Sequence, residues 1–174
     1  MKTAFRLIAA AAVLALLTSC STINSRRAAG FSYCNGTWGI ATFTNNTDVP
    51  QAGTRATSIT AGVLRSKGIV NIAMLQANKT CNELIVCPNM SIPLNEVRRF
   101  GQEHHIRYMM VGAVNEWQYK VGLDGEPVSS VSLQVLDTER NQIVWTSVGS
   151  RIGSSHSGLS TTAQDLINTM LKSL

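Results

Sequence analysis

The sequence lacks the patterns that would give a function away at once, and each absence narrows the field. No apolar run approaches the roughly 20 residues that a membrane-spanning helix requires; Leu7 to Leu17 supplies eleven. Lysine and arginine never gather beyond pairs such as Arg26-Arg27 and Arg98-Arg99, which disfavours a nucleic-acid surface. No Cys-x-x-Cys pair is present, so a structural zinc site is disfavoured. Gly-x-Ser-x-Gly, the Walker loop, Gly-x-Gly-x-x-Gly and His-Glu-x-x-His are all missing, and with them the common nucleophile, nucleotide and metalloprotease signatures. His104 and His105 are adjacent, so on a helix they point about 100° apart and share a metal poorly. His156 stands in a Ser/Gly-rich stretch. The chain therefore reads as non-enzymatic, without cofactor or metal, and no internal repeat is visible.

What is present begins at the N-terminus. Lys2 and Arg6 form a positive start, the apolar stretch follows, and Leu17-Thr18-Ser19-Cys20 closes it. An aliphatic residue, two small residues and a cysteine in that register form a lipobox, so residues 1–19 are expected to be a signal peptide. Cys20 is expected to be the lipidated first residue of the mature chain. Two or three acyl chains of the palmitate kind are needed there, because one chain alone holds a protein only marginally. Ser21 in the next position favours the outer membrane, where Asp would favour retention at the inner one. Cleavage leaves 155 residues and lowers the net charge from +5 to +3, which suits one periplasmic domain with a single core.

The segment 20–35 holds Ser, Asn, Arg and Gly without hydrophobic period. It is read as a flexible tether with an extended reach of about 50 Å, and 36–174 as the domain. Trp38, Ile40 and Phe43 mark a short strand. Ala52, Ala56, Ile59, Val63 and Leu64 recur at helical spacing up to Gly68. Ile69 to Leu75 reads as a buried strand. A second helix opens at Pro93 with Leu94, Val97 and Phe100 inward. Ile106 to Val121 is a long strand, in which Trp117, Tyr119 and Val121 alternate with Glu116, Gln118 and Lys120. Asp124-Gly125 signals a hairpin. Val131, Leu133 and Val135 form the next strand, Ile143-Val144-Trp145 the last, and a helix runs from about Leu159. The order β-α-β-α-β-β-β-α predicts an α/β (α+β) fold: a mixed sheet of about five strands, early strands parallel, with helices mainly on one face.

Few residues carry chemistry. In an oxidising periplasm Cys81 and Cys87 could close a small loop, leaving Cys34 over. The four Asn-x-Ser/Thr matches, at Asn35, Asn45, Asn78 and Asn89, read as chance in a chain with a lipobox. Asp124 and Glu126 are read either as a solvated hairpin tip or as a carboxylate-bearing loop for a cationic partner. Their spacing is too short for a calcium cage.

The run Gly112-Ala113-Val114-Asn115-Glu116-Trp117-Gln118-Tyr119-Lys120-Val121-Gly122-Leu123-Asp124-Gly125-Glu126-Pro127 closely resembles the PelC family, lipoproteins of Pel exopolysaccharide secretion. Val131 to Asp137, Ile143-Val144-Trp145 and, more loosely, Asn45 to Gly53 extend the likeness. The resemblance implies a fold similar to the TolB N-terminal domain and a homo-oligomeric ring on the periplasmic face of the outer membrane. It also implies a PelB-like porin above the ring and a cationic polysaccharide passing an acidic lumen. On this carry-over Asp124, then Glu126 and Glu116, are the lumen candidates. Trp117, Tyr119 and Trp145 are read first as sheet core or ring interface and second as sugar-stacking or membrane-facing aromatics. A net charge of +3 requires the acids to be segregated towards the polymer. No family pattern is matched in the loop holding Cys81 and Cys87, or in Gly149 to Gly158, where an expected functional aromatic is absent. The alternative is an assembly or peptidoglycan-binding lipoprotein of similar fold serving another secretion system.

Overall fold

Alternation of apolar and small polar side chains in the C-terminal half builds an antiparallel meander that organises the molecule. The computed structural model describes residues 21–34, 36–76, 91–122 and 125–174; Cys20, Cys81, Cys87 and Asp124 lie outside the described residues. In chain order the elements are β1 (Ser21–Arg27), β2 (Trp38–Ala41), β3 (Thr44–Asn45), α1 (Ala52–Ser66), β4 (Ile72–Leu75) and α2 (Leu94–Glu103). They continue with β5 (Tyr108–Tyr119), β6 (Pro127–Asp137), β7 (Gln142–Ile152) and α3 (Leu159–Met170), closed by a 3-10 turn at Leu171–Ser173. The strands form one sheet in the order β1-β7-β6-β5-β2-β4, with β3 also paired to β5. β2, β3 and β4 join in parallel, as the crossover helices require, whereas β5, β6, β7 and β1 are antiparallel.

The main core lies between the sheet and the two helices α1 and α3. Trp38, Ile40, Met110, Leu133 and Trp145 meet Ala56, Leu64, Leu166, Ile167 and Met170 there. α1 lies unusually close to the sheet because Gly53 has no side chain: a Cβ there would collide with the Phe43 carbonyl. A smaller cluster forms on the opposite face, where Val97 and Phe100 of α2 pack on Ala41, Met109 and Leu136. Two helices thus share one face and the third covers part of the other.

Two sequence expectations are corrected. Residues 21–27, read as part of a flexible tether, form β1, paired over all seven residues with β7. Its side chains are nearly all exposed and only Ile23 is partly buried, so the strand is held by backbone pairing and leaves no hydrophobic period in the sequence. The strand expected over Ile69 to Leu75 is shorter, and it is a partly exposed edge strand where a buried one was expected. In β5 the register against β6 slips between Val114 and Glu116, so Asn115 is an extra, bulged residue. The bulge switches the parity of the strand: Tyr108, Met110 and Val114 before it and Trp117 after it all enter the same core.

Candidate functional site

The β-strand registers place the candidate residues on a ladder of rows across the sheet. Trp117, Ser129, Arg151 and Ser21 form one row. Tyr119 and Pro127 close the sheet two residues further along β5. Beyond them the β5–β6 connection carries Lys120, Val121, Gly122, Gly125 and Glu126, so Glu126 and the start of β1 stand at the same end of the sheet.

That end is tied together by polar contacts. The Lys120 amide donates to the Glu126 carbonyl at 2.8 Å, and the Lys120 ammonium pairs with the Glu126 carboxylate at 3.6 Å. The Tyr119 hydroxyl accepts from the Leu159 amide at 3.1 Å. Gly158, the cap residue of α3, offers no side-chain acceptor, so Tyr119 satisfies one of the free donors of the first helical turn. Arg151 reaches over to Asp165 at 3.7 Å, and the Gly153 amide donates to the Pro127 carbonyl at 2.8 Å.

Glu116 is placed differently. It shares a row with Ser130, Ser150 and Thr22, and alternation puts it on the face opposite α1 and α3. Gln118 on the same face donates to its carboxylate at 3.4 Å. Of the two described lumen candidates, Glu126 is partly neutralised by Lys120, while Glu116 has a neutral donor beside it. The register continues from Tyr119–Pro127 to Lys120–Glu126, so alternation places Glu126 towards the same side of the sheet as Glu116, nearer its end.

The aromatic candidates divide sharply. Trp117 and Trp145 are each 1% exposed, and the Trp145 indole donates to the Ser173 carbonyl at 3.1 Å. Both are core side chains, closed to sugar and to lipid within the subunit. Tyr119 is 52% exposed and can meet a partner while keeping its hydrogen bond. Cys34 is exposed and has no disulfide partner among the described residues. His104 stacks on Phe100, and His105 adopts a left-handed φ of 53° at the end of α2. Among the described residues no three His, Cys, Asp or Glu side chains group to hold a metal ion, and no helix is long and apolar enough to cross a membrane.

Sequence reasoning missed a charged cluster at the far end of the sheet. Arg107 lies 3.6 Å from Asp137 and 3.5 Å from Glu139, and its guanidinium sits over the Tyr108 ring. Asp137 is 1% exposed and also accepts from the amides of Glu139 and Arg140. Only pairing of Tyr108 with Asp137 across β5 and β6 brings these groups together, and no local spacing announces it.

These features define an α+β domain with a mixed sheet bounded by β1 and β4, two helices on one face and one on the other. Comparison with solved structures makes the class specific. PelC from Paraburkholderia phytofirmans, solved as a dodecamer, is 30% identical over 87% of this chain and 95% of that one, with a TM-score of 0.70. A variant dodecamer of the same protein in another space group gives 30% identity, 86% and 96% coverage and a TM-score of 0.69. A hypothetical protein from Chlamydia trachomatis shares the fold alone, at 10% identity, 79% and 95% coverage and a TM-score of 0.51. Neither the family models nor the curated proteins give a match. The chain belongs to the PelC family.

Proposed function

We propose that this protein is a lipid-anchored, non-enzymatic component of Pel exopolysaccharide export. In this reading it forms a periplasmic ring at the outer membrane and guides a cationic polymer towards a PelB-like porin. The observation that carries the reading is the 30% identity extending over 95% of a PelC that was solved as a dodecamer. The fold is suited to assembly, because its two sheet edges, β1 and β4, are different surfaces on opposite sides. A contact between unlike surfaces propagates head to tail and closes into a ring when the rotation allows. Repeating one carboxylate per subunit around a lumen focuses a negative potential that an isolated acid cannot produce. Asp124, Glu126 and Glu116 are the groups assigned to that role, with Glu126 weakened by its pairing to Lys120.

The ring is tested by native mass measurement on the lipid-free domain, residues 21–174, in solution and tethered to bilayers. A closed multimer is expected; a strict monomer in both settings refutes the ring. Cys20→Ala should move the protein from the membrane to the soluble periplasmic fraction, and unchanged fractionation sinks the lipid anchor. Asp124→Ala should fold normally and secrete less polymer.

A further inference from the structure

The two faces of the sheet are as unlike as its two edges, and far larger. One is covered by α1 and α3. On the other, α2 covers a single corner, where Val97 and Phe100 pack on Ala41, Met109 and Leu136 at the end where β5 begins and β6 stops. Because Val131, Leu133 and Val135 point to the helix core, alternation gives the rest of the second face to two rows of other residues. Ala113, Ser132, Val148 and Asn24 form one, and Val111, Gln134, Thr146 and Arg26 the next. Val148, near the centre, is 50% exposed. Apart from Arg26, and Glu116 at the rim, this surface is uncharged and mostly short-chained.

The outer surface of α3 has the same character. Thr161, Gln164 and Asn168 are exposed there, and Asp165 is held by Arg151. The helix lies over β6 and β7, where a Cβ on Gly149 would meet Leu166 and Met170. Asn168 and Val148 therefore stand back to back, one on the outside of the helix layer and one on the bare face of the sheet. A rotation about an axis in the plane of the sheet carries each helix layer to the same level on the bare face of the next copy. Four strands at about 4.8 Å and seven residues at about 3.3 Å make a patch of roughly 19 by 23 Å. With side-chain relief, and α2 beside it, that approaches the roughly 800 Å² per partner of a standard interface.

We propose that the α3 surface at Gln164 and Asn168 of one copy seats on the bare face around Ser132 and Val148 of the next, and that α2 is the wedge that turns each copy relative to the last. This rests on the ring reading given above. The occupant is a second copy because the two surfaces match in level, flatness and lack of charge, and because the wedge supplies the turn that closure needs. A helix about 10 Å thick at one corner, with the bare corner roughly 20 Å away, tilts a flat partner by roughly 25°. A closed ring of twelve, the number in the Paraburkholderia protein, turns about 30° per copy. The thin side of the wedge is the end that carries Glu116 and Glu126, so closure turns both carboxylates towards the ring axis.

The test sizes the full chain, purified in mild detergent, by native mass spectrometry. Val148→Lys and Asn168→Lys each put an unpaired ammonium into every joint and should weaken assembly about tenfold or more, while circular dichroism still shows a folded domain. Val148→Lys combined with Asn168→Glu sets opposite charges against each other across every joint and should restore the closed multimer. Single variants that stay closed overturn the contact and leave the ring standing. A double variant that stays apart shows that the two surfaces do not meet, and also overturns it. A monomeric unaltered protein overturns the ring reading, and the inference falls with it.

Discussion

The docking of α1 against the sheet depends on one hydroxyl, and its removal makes a sharp test of the packing described above. Thr57 is 1% exposed. Its hydroxyl oxygen accepts from the Phe43 amide at 2.9 Å and its proton goes to the Gly53 carbonyl at 2.8 Å. Phe43 lies between β2 and β3, so its N–H finds its partner on the helix. Thr57→Val keeps the shape and removes both bonds. The helix ladder still serves the Gly53 carbonyl, but the Phe43 amide is left buried and unpaired, at a cost of about 1–3 kcal/mol. The added methyl returns about 0.8 kcal/mol through burial. A net loss of about 1–2 kcal/mol is expected, which lowers the melting temperature by roughly 2–8 °C in a domain of this size. Thr57→Ser keeps the oxygen and should remain close to the unaltered protein. Urea and thermal unfolding of the two variants side by side provide the measurement. If Thr57→Val matched Thr57→Ser within about 0.5 kcal/mol, the claim that this hydroxyl satisfies the link between β2 and β3 would be wrong.

Three other substitutions test separate regions. The buried Ser129 hydroxyl has no hydrogen-bond partner among the described residues, so Ser129→Ala should leave the urea midpoint unchanged or raise stability by up to about 1 kcal/mol; a clear loss would reveal a partner. Arg107→Ala strands the buried Asp137 carboxylate and should destabilise by roughly 2 kcal/mol or more, and an unchanged melt would show that the amides of Glu139 and Arg140 suffice. Glu116→Gln should keep stability within about 0.5 kcal/mol and lower polymer export in cells. Export at the normal level would remove Glu116 from the polymer-facing set.

Legibility from sequence followed the hydrophobic pattern closely. Val131, Leu133 and Val135 alternate, and each is fully buried on the helix face of β6. The face of α3 carrying Ala163, Leu166, Ile167 and Met170 is also the buried one. Where burial did not drive the structure, the pattern fell silent. Ser21–Arg27 has one apolar side chain, and the information for its pairing resides in the exposed edge of β7. The bulge at Asn115 is set by partner strands and hides inside a continuous β-type run. Trp117 and Trp145 fill the core, the first of the two uses expected of them, whereas Tyr119 of the same set is exposed. For the carboxylates, sequence proximity suggested a set, and the fold separates them by pairing: Glu126 is bound to Lys120, while Glu116 has only the Gln118 amide beside it.

The pairing of β1 also bears on how the protein can be handled outside its membrane. A shortened chain starting near Gly36, the boundary that the sequence suggests, would strip β1 from β7. It would also lose the 2.7 Å bond between the Ser25 and Ser147 hydroxyls. The outer edge of β7 from Trp145 to Arg151, the seven residues that β1 covers, would then lie open, with the half-exposed Val148 at its centre. An edge of that length and apolarity is a template for pairing with any other chain. Such a truncated domain should aggregate on refolding, whereas one beginning at Ser21 should stay soluble, so seven residues of apparent tether set the difference between a well-behaved domain and a sticky one.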